Sequence, residues 1–254
     1  MPPRPPPTHF LCIPLAGAQL SRSLASFRAD ITSPTSFDVP EQAVRPPGTL
    51  HLTLGVMTLK DETLTQAVDL LRSLRLKDLL EQARTAASTA ASPAARAMGR
   101  ATPAASGGSP LAVTLQGLQA MQKPEETSVL YAPPTDPTGL VRRFCEQLRR
   151  TFQEAGLMAE DQRPLLLHAT MVNTVYVRGR GANGRNGNGN GNGRNGGRRQ
   201  RMTIDARDII GRYDDYVWVE EMPVHKVAIC RMGAKKIEGS EGDEAYEVEA
   251  KVSF

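Results

Sequence analysis

Two short stretches decide the reading: His51-Leu52-Thr53-Leu54 and His168-Ala169-Thr170-Met171. Each sits in an apolar run with strand character, Leu50 to Leu59 and Leu165 to Val177. Successive side chains of a strand alternate between faces, so the His and Thr of each tripeptide share one face and the aliphatic residues take the other. A strand inside a sheet gives one face to the core, and the opposite face, with its His and Thr, can line a groove. The chain has only four histidines. Two of them being followed by Thr at the second position is a coincidence expected about 3% of the time. A lone strand histidine is commonly structural; the matched pair is what points to chemistry.

Outward from these strands the sequence alternates strand and helix. Thr8 to Leu15 reads as a strand and Gln19 to Ile31 as a helix. Asp61 can cap a helix in which Leu64, Ala67, Val68 and Leu71 share a face. Leu111 to Met121 and Ser128 to Ala132 read as strands. Asp136-Pro137 opens a helix whose Leu140, Val141, Phe144, Leu148 and Phe152 keep the 3.6 period, and Gly156 ends it. A short helix is expected around Ala206 to Arg212, then strands at Tyr216 to Val219, Val224 to Met232 and Ala245 to Phe254. The pattern is α+β with two comparable halves, each holding one His-x-Thr strand.

Three segments read as unstructured: a Pro-rich tail at residues 1–7 and two low-complexity inserts, 83–110 and 178–201. The first insert is Ala-rich but carries Pro93, Pro103 and Gly107-Gly108. Within the second, 14 of residues 181–197 are Gly or Asn, too few apolar atoms to offset the chain entropy. It is either an RNA-contacting arginine-glycine segment or a neutral loop expansion. The expected organisation is one domain over 8–254, or two small lobes, interrupted by these inserts.

Composition excludes several classes. No uncharged apolar run approaches the ~18 residues of a membrane span, and the start has no apolar signal-peptide core. The net charge is +4, yet residues 178–201 alone carry +7, so the remainder is −3 and no globally basic nucleic-acid face follows. Cys12, Cys145 and Cys230 are odd in number and set among apolar residues, which reads as reduced core thiols in the cytosol or nucleus. No His/Cys/Asp cluster has metal-ligand spacing. His9 and His225 read as structural or exposed. Tyr131 is either a base-stacking ring or an ordinary sheet tyrosine, and Arg142, Arg143, Arg149 and Arg150 read as the solvated side of their helix.

The chemistry that uses two histidines and two hydroxyls on facing strands is transfer or hydrolysis at a phosphate ester. A neutral imidazole takes a proton from the attacking oxygen, and an imidazolium protonates the leaving oxygen. Thr hydroxyls donate to the non-bridging phosphate oxygens. This set calls for no metal. A nucleotide- or RNA-binding module that keeps the groove without turnover is the rival reading.

The two His-x-Thr strands resemble those of the two-histidine (2H) phosphoesterase superfamily, which includes LigT-type RNA ligase and cyclic phosphodiesterase proteins. Leu50 to Met57, Val129 to Ala132, Leu167 to Thr174, Asp205 to Ile210 and Val224 to Gly233 are similar to the A-kinase anchor protein 7-like phosphoesterase domain. That domain also forms the C-terminal part of activating signal cointegrator 1 complex subunit 1. The resemblance implies two pseudo-symmetric lobes, each an antiparallel sheet with outer helices, around a central groove. It implies His51 and His168 as the acid/base pair, Thr53 and Thr170 as phosphate ligands, and no cofactor. Which histidine is the base is left open. RNA or nucleotide substrates are implied, with 2′,3′-cyclic phosphate or 2′-5′ linkages as the bonds. A monomer in the nucleus or cytoplasm is expected. Nothing upstream of Thr8 has room for the KH domain of the cointegrator subunit, so a stand-alone domain is expected, with transcription-coactivator or repair partners as the other reading.

Deleting Gly181 to Gly197 should leave the melting temperature within a few degrees of the parent, because that segment has no apolar residue beyond Ala182 to pack. A large drop in a thermal melt would show that the segment is part of the fold.

Overall fold

The apolar run at the start of the chain becomes β1 (His9–Pro14), buried at every position but its last. The structure is a computed structural model and describes residues 5–90, 110–160, 163–177, 202–240 and 242–254. After β1 come α1 (Ala18–Ile31), β2 (His51–Met57), α2 (Asp61–Ser73), α3 (Leu76–Ala90), β3 (Leu111–Gln116) and β4 (Gln119–Ala120). β5 (Val129–Ala132), β6 (Pro134–Thr135), α4 (Leu140–Glu154) and β7 (Ala169–Asn173) follow. The chain ends with α5 (Arg207–Arg212), β8 (Val217–Val224), β9 (Lys226–Arg231), β10 (Lys235–Lys236), β11 (Glu244–Ala245) and β12 (Val248–Ser253).

The expected α+β architecture with antiparallel sheets is present. A seven-stranded sheet has the order β12-β9-β1-β2-β7-β5-β4, and β6-β3-β8 form a second sheet. The larger sheet joins two halves, one holding β2 and the other β7. They meet at a single registered pair, Leu52 with Ala169. Both residues are fully buried.

Helix α4 shows how sequence becomes packing. Its predicted stripe of Val141, Phe144, Leu148 and Phe152 is buried, while Leu140 is only partly covered. The helix lies against β2, β3 and α3, so it supports the core side of one His-x-Thr strand. Helix α1 buries Leu20, Leu24, Phe27 and Ile31. Phe27 meets Trp218 of β8 edge-on at 4.9 Å, and the indole N–H donates to the Gly117 carbonyl at 2.8 Å.

Several details differ from the sequence-based expectation, and two expected strands are each divided between sheets, Leu111 to Met121 into β3 and β4 and Ala245 to Phe254 into β11 and β12. The expected insert from residue 83 starts instead as helix, since α3 runs to Ala90. Ala is the best helix former, and Leu76, Leu80 and Ala83 continue one buried stripe. The rest of that segment, up to residue 109, lies outside the described residues, as do 178–201. The strand expected over Leu165 to Val177 is confined to Ala169–Asn173. The Asn173 side chain accepts from the Val175 N–H at 3.1 Å and turns the chain into a 3-10 turn. Asp61 is the first residue of α2 rather than its cap; the Thr63 hydroxyl accepts from the Lys60 N–H at 2.8 Å. Asp136 acts from a distance, its carboxylate accepting from the Arg142 N–H at 2.8 Å while the helix begins at Leu140.

Among the described residues no helix is long and apolar enough to cross a membrane. Leu148→Ala should cost about 2–5 kcal/mol, the usual range for a buried leucine whose site cannot collapse. Urea denaturation reads it as a lower midpoint at unchanged slope; a loss below about 1 kcal/mol would mean that α4 is loosely packed.

Candidate active site

Antiparallel pairing at Leu52 and Ala169 fixes what stands opposite what. Strands running in opposite directions place Thr53 toward His168 and His51 toward Thr170. All four side chains lie on the face away from the core, because Leu52, Leu54, Ala169 and Met171 occupy the core face. The four predicted residues therefore form one quartet with approximate two-fold symmetry, and all four are partly exposed. Among the described residues no further pair is registered between β2 and β7, so the two strands part on either side of the quartet.

The histidines are held in the same way. His51 Nδ1 lies 2.8 Å from the Thr49 carbonyl, and His168 Nδ1 lies 2.9 Å from the Leu166 carbonyl. A carbonyl can only accept, so Nδ1 carries the hydrogen in both rings. In the neutral form that leaves the Nε2 lone pair available for a proton.

Their surroundings differ. His51 packs against Phe10, with ring centroids 4.7 Å apart, and against Tyr246 at 5.3 Å, two rings that also touch each other at 4.9 Å. Burial pushes the His51 imidazole down to about 4. The Thr49 carbonyl works against that shift, while the positive charges of His168 and Arg45 add to it. His51 is consequently neutral at physiological pH. His168 meets one ring, Tyr131, at 5.5 Å. Tyr131 is buried and its hydroxyl donates to Gln119 at 2.8 Å, so it serves as a sheet tyrosine that also backs His168.

Three residues beside His51 carry no motif. Arg45 is buried, its guanidinium lying over the Tyr176 ring at 3.8 Å and Nη2 at 3.9 Å from the Glu244 carboxylate. Tyr246 interacts with both Arg45 and Tyr176, and burial with the Tyr176 neighbour pushes its phenol up to about 12. Gly48 makes this layer possible. A Cβ there would fall 2.5 Å from the Glu244 carbonyl oxygen, so only glycine lets β11 cross the turn ahead of His51 so closely.

The other singled-out residues lie elsewhere. His9 is buried near the start of β1, Nε2 facing Glu249 at 3.5 Å, and His225 is exposed. Cys12 pairs in register with Thr53, and its sulfur lies 3.9 Å from that of Cys230. All three cysteines are free and buried. On α4, Arg142 donates to the Leu165 carbonyl at 2.9 Å, which ties that helix to the segment leading into His168. Among the described residues no three His, Cys, Asp or Glu side chains converge as metal ligands would.

Known proteins share this arrangement of the chain. Residues 7–254 match the model of the AKAP7 2'5' RNA ligase-like domain. A Schizosaccharomyces pombe protein of uncharacterised role is 25% identical over 246 residues, covering 96% of this chain and 94% of its own length. Activating signal cointegrator 1 complex subunit 1 of Mus musculus is 24% identical over 219 residues, 84% of this chain but 55% of the mouse protein. Among solved structures, E. coli LigT complexed with 3'-AMP superposes with a TM-score of 0.50 at 16% identity over 98% of both chains. A Thermus thermophilus protein superposes with a TM-score of 0.51 at 16% identity over 97% of both. At such identity these two establish the fold alone. With the sequence match running from Pro7 to the last residue and a LigT-like fold beneath it, the chain belongs to the AKAP7 2'5' RNA ligase-like domain family.

Proposed function

We propose that the protein is a metal-independent phosphoesterase acting on RNA ends or small nucleotides, at 2′,3′-cyclic phosphates or 2′-5′ phosphodiesters. The observation that carries this reading is the quartet: two imidazoles, each with Nδ1 engaged by a backbone carbonyl, on strands that place a Thr across from each. Binding alone has no use for two proton-transfer groups oriented alike.

For hydrolysis of a cyclic phosphate, His51 is the base and His168 the acid. His51 is neutral in its apolar setting, so its Nε2 takes a proton from water as the water oxygen bonds to phosphorus. The phosphorus–oxygen bond to the ribose breaks, and Nε2–H of protonated His168 gives its proton to the leaving oxygen. Thr53 and Thr170 donate to the non-bridging oxygens, where negative charge accumulates. The product is a nucleoside monophosphate, and exchange with solvent resets both rings. The protein works as a monomer in the nucleus or cytoplasm. Transcription-coactivator partners fit the name of the mouse relative.

His51→Ala and His168→Ala should each lower turnover of a 2′,3′-cyclic nucleotide by about 10² to 10⁴. The double variant should lose much less than the product of the two, because the pair acts as a unit. Thr53→Val and Thr170→Val should weaken phosphate binding and slow turnover without unfolding, and the parent should keep full activity in chelator. If the parent turns over neither cyclic nor 2′-5′ substrates yet binds nucleotide through these residues, the protein is a binding module.

The pH dependence is equally specific. Activity should rise as pH climbs through about 4, where His51 becomes neutral. Stability should follow the same residue. Its folded value lies below the ordinary 6.5, so the unfolded chain binds the extra proton between these limits, and stability falls as pH drops from about 6.5 toward 4. His51→Gln should flatten that part of a pH-resolved denaturation series; an unchanged slope would assign the loss to other groups.

A further inference from the structure

Where β2 leaves β7, another segment takes its place. Val44 bridges Val172, and the Arg45 N–H donates to the Met171 carbonyl at 2.8 Å. β5 already occupies the other edge of β7 at this level, so Val44 and Arg45 lie along the edge that faces β2. Val44 is buried in the main core, and alternation then puts Arg45 on the face of the quartet. The positive charge of Arg45 is felt at His51.

This cation is poorly matched. Its side chain is 5% exposed, and its acidic partner among the described residues, Glu244, lies 3.9 Å away and is 29% exposed. Nη2 is shut off from solvent with no hydrogen-bond partner among those residues. A guanidinium buried at such a cost usually has a task beyond stability. Tyr246, which interacts with Arg45, is the same ring that packs on His51.

We infer that Arg45 is a positioning residue of the groove: its guanidinium fixes Tyr246 against His51 and supplies the fixed positive charge that draws a phosphate anion to the quartet. This rests on reading the quartet as a phosphate site. The groups facing His51 are His168, Arg45 and Tyr246, with Cys12 and Cys230 on the adjoining strands. Arg45 in turn faces Tyr176, Tyr246 and Glu244. Among these, Arg45 is the group whose positive charge acts at His51, and Glu244 is the counter-charge set against it.

The test uses the whole protein, inorganic phosphate as probe, and the His51 ring signal in NMR titrations. Arg45→Met should raise the His51 midpoint by about half a pH unit or more. It should also weaken phosphate binding by about tenfold. Arg45→Lys keeps a charge and should hold most of both. Glu244→Gln removes the counter-charge without touching Arg45, and should move both readings the other way, to a lower midpoint and tighter phosphate. A folded Arg45→Met protein with unchanged midpoint and phosphate affinity would overturn the inference. So would a Glu244→Gln protein in which neither reading moves or both move the wrong way; that variant decides alone if Arg45→Met fails to fold. Neither measurement needs turnover. A parent that binds phosphate but cleaves no ester would defeat the enzymatic reading while leaving the role of Arg45 standing.

Discussion

The contact between Leu52 and Ala169 holds the site together. It is one residue pair wide, and it joins the four-stranded half β12-β9-β1-β2 to the three-stranded half β7-β5-β4. Because both side chains are buried in the apolar core, the register cannot slip by one residue without carrying the whole apolar set to the wrong face. The relative placement of His51, Thr53, His168 and Thr170 thus inherits its precision from hydrophobic burial on the opposite side of the sheet. The polar groups do not organise themselves; the core beneath them does.

Symmetry in the strands is broken by what covers them. Both imidazoles donate Nδ1–H to a carbonyl two residues earlier. Of the two, His51 packs against a pair of touching aromatic rings with a buried cation nearby. A duplicated motif supplies two imidazoles held alike, and burial sets His51 apart by lowering its proton affinity. The difference originates in segments outside either motif: the stretch ahead of β2 and the crossing at β11.

Much of this is legible in the sequence, and the parts that are not share a cause. The His-x-Thr faces follow from alternation within five residues, and the stripe of α4 from a 3.6 period, so both are local properties. The pairing of β2 with β7 is not local, and it is what turns two motifs into one quartet. Arg45 stands before Pro46-Pro47 in a stretch that reads as loop. Its burial is decided by the Met171 carbonyl and by β11, far along the chain. The Ala-rich stretch after residue 83 has the composition of a linker, whereas Leu76, Leu80 and Ala83 give its first turns a face to bury. His168 lies one residue ahead of β7, because the ladder begins at Ala169.

A sheet that parts in its middle has edges in its interior. Edge strands elsewhere present unpaired amides and carbonyls to bulk water at the rim of a molecule, where other chains can find them. Here the inner margins of β2 and β7 do so at the centre, flanked by the quartet and closed on one side by Val44 and Arg45. Main-chain groups on the open side must be satisfied by water. The groove is therefore polar by construction, lined by backbone as well as by side chains. Anything that settles there can meet main-chain donors and acceptors, and how many it meets is set by the divergence of two strands rather than by any side chain.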